Sequence, residues 1–345
     1  MMRCSRVIRQ WRPEARMRLG LAVRVSFGVV VLLAFSLVAG GQAGSGAARA
    51  RGLQRKSIQR QISELRPAAV YRVAGGPDWM AVTPSAVWVA AAKENRVVRL
   101  DAGADRAGPV VTVSDPCSGL AADFGSLWVP SCGEHALFRV DLASGKIVAK
   151  IAVAPADSEG GIATGAGSVW MMTRGGLARV DPGSNRVVAV VRVPSGSYAA
   201  AFGDGAVWVT STRHNRLIRV DARTNRVVAV VAVGARPRFL TVGAGSVWTL
   251  NQGSGTVSRV DMKTNRLVAT IAVGTPGAGG EIAFGDGAVW TTFLGFPLTR
   301  IDSRTNRVTA QWRGAGGDSV RVGNGALWLT DYKGGSVSRF DLPLR

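Results

Sequence analysis

Between about residue 67 and residue 345, apolar and polar residues alternate in short runs broken by Gly, Asn, Asp and Ser. The stretch 236–274 shows the pattern most clearly. It divides into four candidate strands, 239–242, 246–250, 256–260 and 266–273, with a turn at Gly243-Ala244-Gly245. Within the third, Thr256-Val-Ser-Arg-Val260 has the period of two that a half-buried strand needs. The same unit returns along the chain. A Trp recurs at Trp88, Trp128, Trp170, Trp208, Trp248, Trp290 and Trp328, with spacings of 40, 42, 38, 40, 42 and 38 residues. An Asp follows each after 11 to 13 residues, at Asp101, Asp141, Asp181, Asp221, Asp261, Asp302 and Asp341. Seven copies of a 40-residue unit of short strands predict an all-β fold, a seven-bladed β-propeller of four-stranded antiparallel blades.

The repeated residues call for structural roles. The Trp rings should fill space between blades. The Asp after each third strand should accept backbone N–H groups of the next turn. In that turn Asn185, Asn225, Asn265 and Asn306 sit where Asn tolerates positive φ. An Arg stands two residues before each Asp, from Arg99 to Arg339, and should pair with acidic groups or pack along its stem. The last unit ends after its third strand, whereas Val70-Tyr-Arg-Val-Ala-Gly75 resembles the fourth-strand segment Val230-Val-Ala-Val-Gly234. The N-terminal segment is therefore expected to complete the seventh blade, pairing two edges that would otherwise stay open.

The chain ends add a second picture. Arg3, Arg6, Arg9, Arg12, Arg16, Arg18 and Arg24 precede an apolar run at 25–39, and small residues follow. That order is a secretory signal, with a membrane anchor as the alternative for 1–43, and the true start is either Met1 or Met17. Residues 44–66 read as a basic linker in which Leu53, Ile58, Ile62 and Leu65 share one face of any helix, so residues 19–66 are the candidate membrane contact. The expected location is periplasmic, cell-envelope or secreted. The propeller itself, 67–345, holds 30 Lys and Arg against 20 Asp and Glu. Such a charge suits anionic polymers or membrane surfaces. Its basic residues are spread through every repeat and match no nucleic-acid-binding motif, so a sequence-specific nucleic-acid partner is not indicated. A monomer is expected.

Candidate chemistry lies where the repeat breaks. Seven residues before the Trp stand Ala81, Ala121, Ala163, Ala201, Thr241 and Ala283, then Arg321. Nine before it, Glu281 interrupts a row of small and aromatic residues. An Arg near the axis needs a partner, and Glu281 or Asp318 can supply one. Two readings stand. One is an ion pair plugging the channel. The other is an anion- or carboxylate-binding centre flanked by Trp79, Tyr198, Arg238 and Phe239. Asp115, Asp157, Glu159, Glu281 and Asp318 are expected on one rim, either solvated or as metal ligands. No nucleophile–base pair, phosphate loop or Cys/His metal spacing is apparent, and the catalytic residues are unknown. Cys117 and Cys132 flank the hairpin turn at Phe124-Gly125. If Asp123 faces Ser126, the two Cys face each other, as a disulfide in an exported protein or as two reduced buried thiols.

The string Gly-Ser-Val-Trp-Thr-Leu-Asn, then Thr-Val-Ser-Arg-Val-Asp, then Thr-Asn-Arg-Leu-Val-Ala-Thr-Ile-Ala-Val-Gly, within 245–274, resembles the YVTN-type repeat propellers. It is similar to the wider group that contains the streptogramin (virginiamycin B) lyases and to WD40-like repeats. Lyase membership would imply ring opening of a cyclic depsipeptide by elimination, with a His base and Mg²⁺ held by acidic residues. Lyase repeats tend to read Trp-Phe-Thr-Glu. Here the position three after each Trp is Ala91, Ser131, Thr173, Ser211, Asn251, Phe293 or Asp331, and the His are His135 and His214. The reading is an exported binding or interaction module, without a cofactor, whose partner is a small molecule, an envelope polymer or a protein. A Mg²⁺-dependent lyase or hydrolase and an envelope protein binding anionic polymer are the alternatives.

Overall fold

The Trp of each repeat belongs to the second strand of a blade, and all seven are at most 1% exposed. In the computed structural model, which describes residues 58–101, 107–277, 279–293 and 295–344, each indole faces an Arg of the third strand, as Trp248 faces Arg259. The basic N-terminal region, the apolar run, Cys4 and linker residues 44–57 lie outside the described residues. The chain separates into units Met1–Arg49 and Ala50–Arg345, and the described residues all fall in the second. Among the described residues no helix is long and apolar enough to cross a membrane.

Seven sheets form, each with the meander order of a propeller blade. Blade 5 runs Pro237–Gly243, Ser246–Asn251, Thr256–Asp261 and Arg266–Ala272. Its first strand starts two residues earlier than expected because Pro237 pairs with Asn251 across a bulge. A second bulge recurs between third and fourth strands, at Arg179/Val180, Arg219/Val220 and Arg259/Val260. It skips Val188, Val228 and Val268 in the pairing, and these side chains stand exposed on the outer edge. A bulge twists an open edge away from strand addition, so the exposed valines sit where the edge is already irregular.

The repeated polar residues form two devices. In the turn after each of five third strands, the Asp Oδ1 accepts the N–H and hydroxyl of the residue three later, as Asp261 does from Thr264 at 2.8 Å each. These bonds hold the carboxyls of Asp141, Asp181, Asp221, Asp261 and Asp302 below the usual range. The second device is a latch between blades. Arg179, Arg219 and Arg259 lay their guanidinium over their own blade's Trp ring, then donate to an Asn Oδ1 and a carbonyl in the next blade's turn. Arg219 reaches Asn265 and the Met262 carbonyl, both at 3.1 Å. Arg139 does the same with Asn185. Sequence reasoning expected these Arg to pair with acidic groups or pack along their stems; Arg99, Arg219 and Arg339 do find an acid, Asp101, Asp204 and Asp341, while the latch adds an Asn and a backbone oxygen for Arg139, Arg179, Arg219 and Arg259.

Close approach at the axis depends on Gly. A Cβ on Gly243 would lie 2.1 Å from the Phe284 ring of the next blade, so only a residue without one fits. The seventh blade closes as expected. Ala69–Arg72 pairs antiparallel with the third strand, Val70 facing Ser338. Tyr71 packs tilted against Trp328 with centroids 5.8 Å apart. The segment before it is not a free linker. Gln59–Gln61 adds to blade 6 as a parallel fifth strand, facing 311–313. Leu65 is buried with Trp312 and Phe340. Residues 59–65 therefore form a strand and a short 3-10 turn, not the face of an amphipathic α-helix.

Cys117 and Cys132 are joined, with Cα atoms 5.7 Å apart. The turn pairs Asp123 with Ser126 as expected. Further out the register changes, and Pro116 bridges Ser131. The Cys117 N–H donates to Pro130 and the Cys132 N–H to Asp115. The bond therefore spans a diagonal instead of a directly facing pair, because the chain leaves the ladder between Cys117 and Ala121.

Candidate functional site

The inner strands of the blades line an axial cavity of about 330 Å³. Six of them present Ala or Thr to it at the position seven before the Trp, and the seventh presents Arg321. Its partner is the one expected. Arg321 Nη2 lies 2.5 Å from Glu281 Oε1, and Nη1 donates to the Val320 carbonyl at 2.7 Å. Ser319 donates its hydroxyl to the other oxygen of Glu281. Glu281 is 5% exposed, so a paired and hydrogen-bonded charge is the only form in which it is cheaply buried. Of the two readings open for Arg321, the geometry gives the ion pair inside the channel.

Two residues nearer the strand starts than Arg321, in the same row as Glu281, two aromatic rings meet. Trp79 of blade 1 and Phe239 of blade 5 touch edge to face with centroids 5.6 Å apart. Blades 1 and 5 are not neighbours in the ring, so this contact crosses the axis. On the rim, Arg238 lies over Tyr198 at 3.9 Å and forms an ion pair with Glu159 of blade 3. Asp318 is exposed and accepts the Tyr332 N–H at 2.8 Å. The structure thus joins six of the seven expected residues in three pairs: Trp79 with Phe239, Tyr198 with Arg238, and Glu281 with Arg321. Asp318 stands beside the last group. The disulfide belongs to the same face. It ties the loop before blade 2's inner strand to the loop after its second strand, and the next residue, Ser118, donates to the Asp157 carbonyl at 3.0 Å.

Asp78 is the residue that sequence reasoning left out of the site. It makes no side-chain hydrogen bond or ion pair among the described residues. It keeps partial solvent contact, yet its surroundings disfavour the charged form. Burial first, then the carboxylates of Glu281, Asp318 and Glu159, push its carboxyl up to about 7, and Arg321 pulls the other way. Its signal was present in the sequence: it is an acid in the same row as Ser118, Tyr198 and Arg238. Neighbouring blades do not reveal that three more carboxylates converge on it. Four carboxylates therefore meet two guanidiniums at this mouth, and each guanidinium is already paired. The mouth is net acidic within a propeller that is net basic.

No family model and no curated protein matches the chain. Solved structures do match. One is a streptogramin B lyase, at 17% identity over 78% of this chain and 95% of that one, with a TM-score of 0.65. Another is a catalytically inactive virginiamycin B lyase from Staphylococcus aureus with quinupristin, at 16% identity, 77% and 95% coverage and the same score. The WD40 repeats of RRP9 match at 13% identity over 81% of this chain and all of that one, with a TM-score of 0.68. These are likenesses of fold. The chain is a lyase-like seven-bladed propeller in architecture.

The lyase resemblance implies a His base and Mg²⁺ on acidic residues, and the residues here do not fit that pair. Asp157 turns back to its own loop, accepting the Glu159 N–H at 2.8 Å. Glu159 and Glu281 are taken by guanidiniums. Among the described residues no three acidic, His or Cys side chains are placed to hold a metal ion. His214 meets Ser211 at 3.0 Å on an exposed loop, and His135 sits at positive φ in the matching loop of blade 2.

Proposed function

We propose that the protein is an exported binding module whose ligand rests on the channel mouth, above the Trp79–Phe239 contact. One observation carries the reading: the residues that break the repeat converge on one end of the axis. Aromatic surface, two fixed guanidiniums and the unpartnered carboxyl of Asp78 lie side by side there. That combination of apolar wall and few polar groups is what a small-ligand site needs. The acidic balance favours a ligand that brings a hydrogen-bond donor or a positive charge to Asp78. The Cys117–Cys132 bond supports export, because such bonds persist in oxidising compartments. The basic-apolar-small order of residues 1–43 supports it independently.

The test is thermal stability of the mature protein against a panel of small amines, peptides, divalent cations and polyanions. A ligand that binds only the folded state must raise its Tm. A hit that disappears in Asp78→Asn and Trp79→Ala establishes the mouth. A shift from polyanions alone, lost steeply with salt, would replace this reading with charge-driven binding of an envelope polymer. Turnover of a cyclic depsipeptide would replace it with the lyase reading.

A further inference from the structure

A second site lies outside the mouth. We propose that Arg213 and Arg236 form an oxyanion-binding subsite, for a phosphate or carboxylate group, in the groove between blades 4 and 5. The groove encloses about 450 Å³ and is lined by Arg213, Arg236, Tyr198, Thr212 and Asn215, with no carboxylate in its wall. The guanidiniums of Arg238 and Arg321 are engaged by Glu159 and Glu281. Those of Arg213 and Arg236 make no hydrogen bond or ion pair among the described residues. Both are exposed. They are the free cations at this end of the axis that share one concave surface.

The backbone holds Arg236 in place at a conformational cost. Its φ is 53°, in the left-handed region. In the matching loops of blades 1, 4, 6 and 7 the left-handed positions are Gly, among them Gly76, Gly196, Gly280 and Gly317. Blade 2 uses Asp115 and blade 5 Arg236, and in each an Asn Oδ1 of the preceding blade, Asn95 or Asn215, fixes the residue by accepting its N–H at 2.8 Å. A residue kept in a conformation that Gly adopts freely points to a use for its side chain. Both stems also have room made for them. A Cβ on Gly196 would come within 3.0 Å of Arg213 Cβ, and one on Gly253 within 3.0 Å of Arg236 Cβ and Cδ. Two guanidiniums, each with a planar set of donors, on one groove are the donor set that recognises an oxyanion. The subsite does not depend on the mouth being occupied. It touches the mouth through Tyr198, so an anionic group held here could belong to a ligand that reaches both.

The test is calorimetric titration of the propeller with inorganic phosphate and, separately, with acetate, at constant ionic strength set by chloride. Wild type should bind at least one of them saturably, and which one identifies the oxyanion class. Arg213→Ala and Arg236→Gly should each weaken binding about tenfold, the loss expected for one charged hydrogen-bonding group. Arg236→Gly should not lower the wild-type Tm, because Gly adopts this left-handed conformation freely, which separates lost binding from lost folding. Asp78→Asn should leave phosphate binding intact even if the mouth reading fails. Absence of binding for both anions overturns the proposal, as does binding that survives in both Arg variants.

Discussion

The rim of the ring and its axis use the same residue types to opposite ends. Around the ring, Arg, Asp, Asn and Trp recur in every blade or nearly so, and each satisfies the others. Arg259 covers Trp248 and reaches Asn306, while Asp261 caps its own turn. At the axis the same kinds of side chain stand in single blades, without a repeat. Arg321 and Glu281 are a single pair, and Asp78 has no partner. Repetition fixes the ring, because every copy must solve the same packing problem. A departure from it at a crowded position has to be compensated locally or used. The latches also show where repetition runs out. Arg99 faces a next blade that carries Gly145 where others carry Asn, and it pairs with Asp101 instead. Arg300 faces blade 7, whose outer strand comes from the N-terminal segment, and it bonds Thr309.

The sharpest way to break the ring is at its closure. A chain starting at residue 76 loses the strand Ala69–Arg72 and with it the buried Ala69, Tyr71 and Val73. Removing a buried aromatic side chain alone costs about 3–5 kcal/mol, so this truncation should exceed that. A chain starting at residue 58 should melt with the full propeller. Denaturant titration of the two truncations checks this, and equal midpoints would sink the closure. The latch is the next effect in size. Arg219→Ala and Asn265→Ala should couple by about 1 kcal/mol in a double-mutant cycle, since a charged donor loses one Asn oxygen. Arg300 has no Asn to reach, and pairing Arg300→Ala with Asn306→Ala should give a coupling near zero.

The ring was legible in the sequence because its periodicity is sampled seven times. The Trp, the Asp turns and the completing strand at Val70 all follow from it. The contact between Trp79 and Phe239 does not, because nothing in one repeat says which residues meet across the axis. The same limit hid the Arg238–Glu159 pair, which skips a blade. Arg238 was expected to flank the central site and Glu159 to lie on its rim, but their pairing is a property of the closed ring. The strand at Gln59–Gln61 was missed for a different reason. A stretch as polar as Gln-Arg-Gln carries no alternation, and it is held by backbone pairing along an open edge.

The smallest effect separates ring from axis most cleanly, because the two sets of carboxylates shift in opposite directions. The turn residues such as Asp261 are held below the usual range by hydrogen bonds. They therefore favour the folded state once they ionise, and that contribution fades as pH falls through their lowered values. Asp78 is raised to about 7. Below its unfolded value both states are protonated and nothing is lost. Between about pH 4 and pH 7 the unfolded chain ionises while the folded one keeps its proton, so stability declines across that window and levels off above it. Asp78→Asn removes the penalty. Allowing for the solvent that still reaches Asp78, the variant should be more stable than wild type by on the order of 1–2 kcal/mol at pH 8, with the difference vanishing near pH 4. Chemical denaturation of both proteins across that range measures it. An Asn variant that is less stable at pH 8 would mean that the Asp78 carboxylate is already neutralised in the folded protein, and the mouth would lose its one open acidic group.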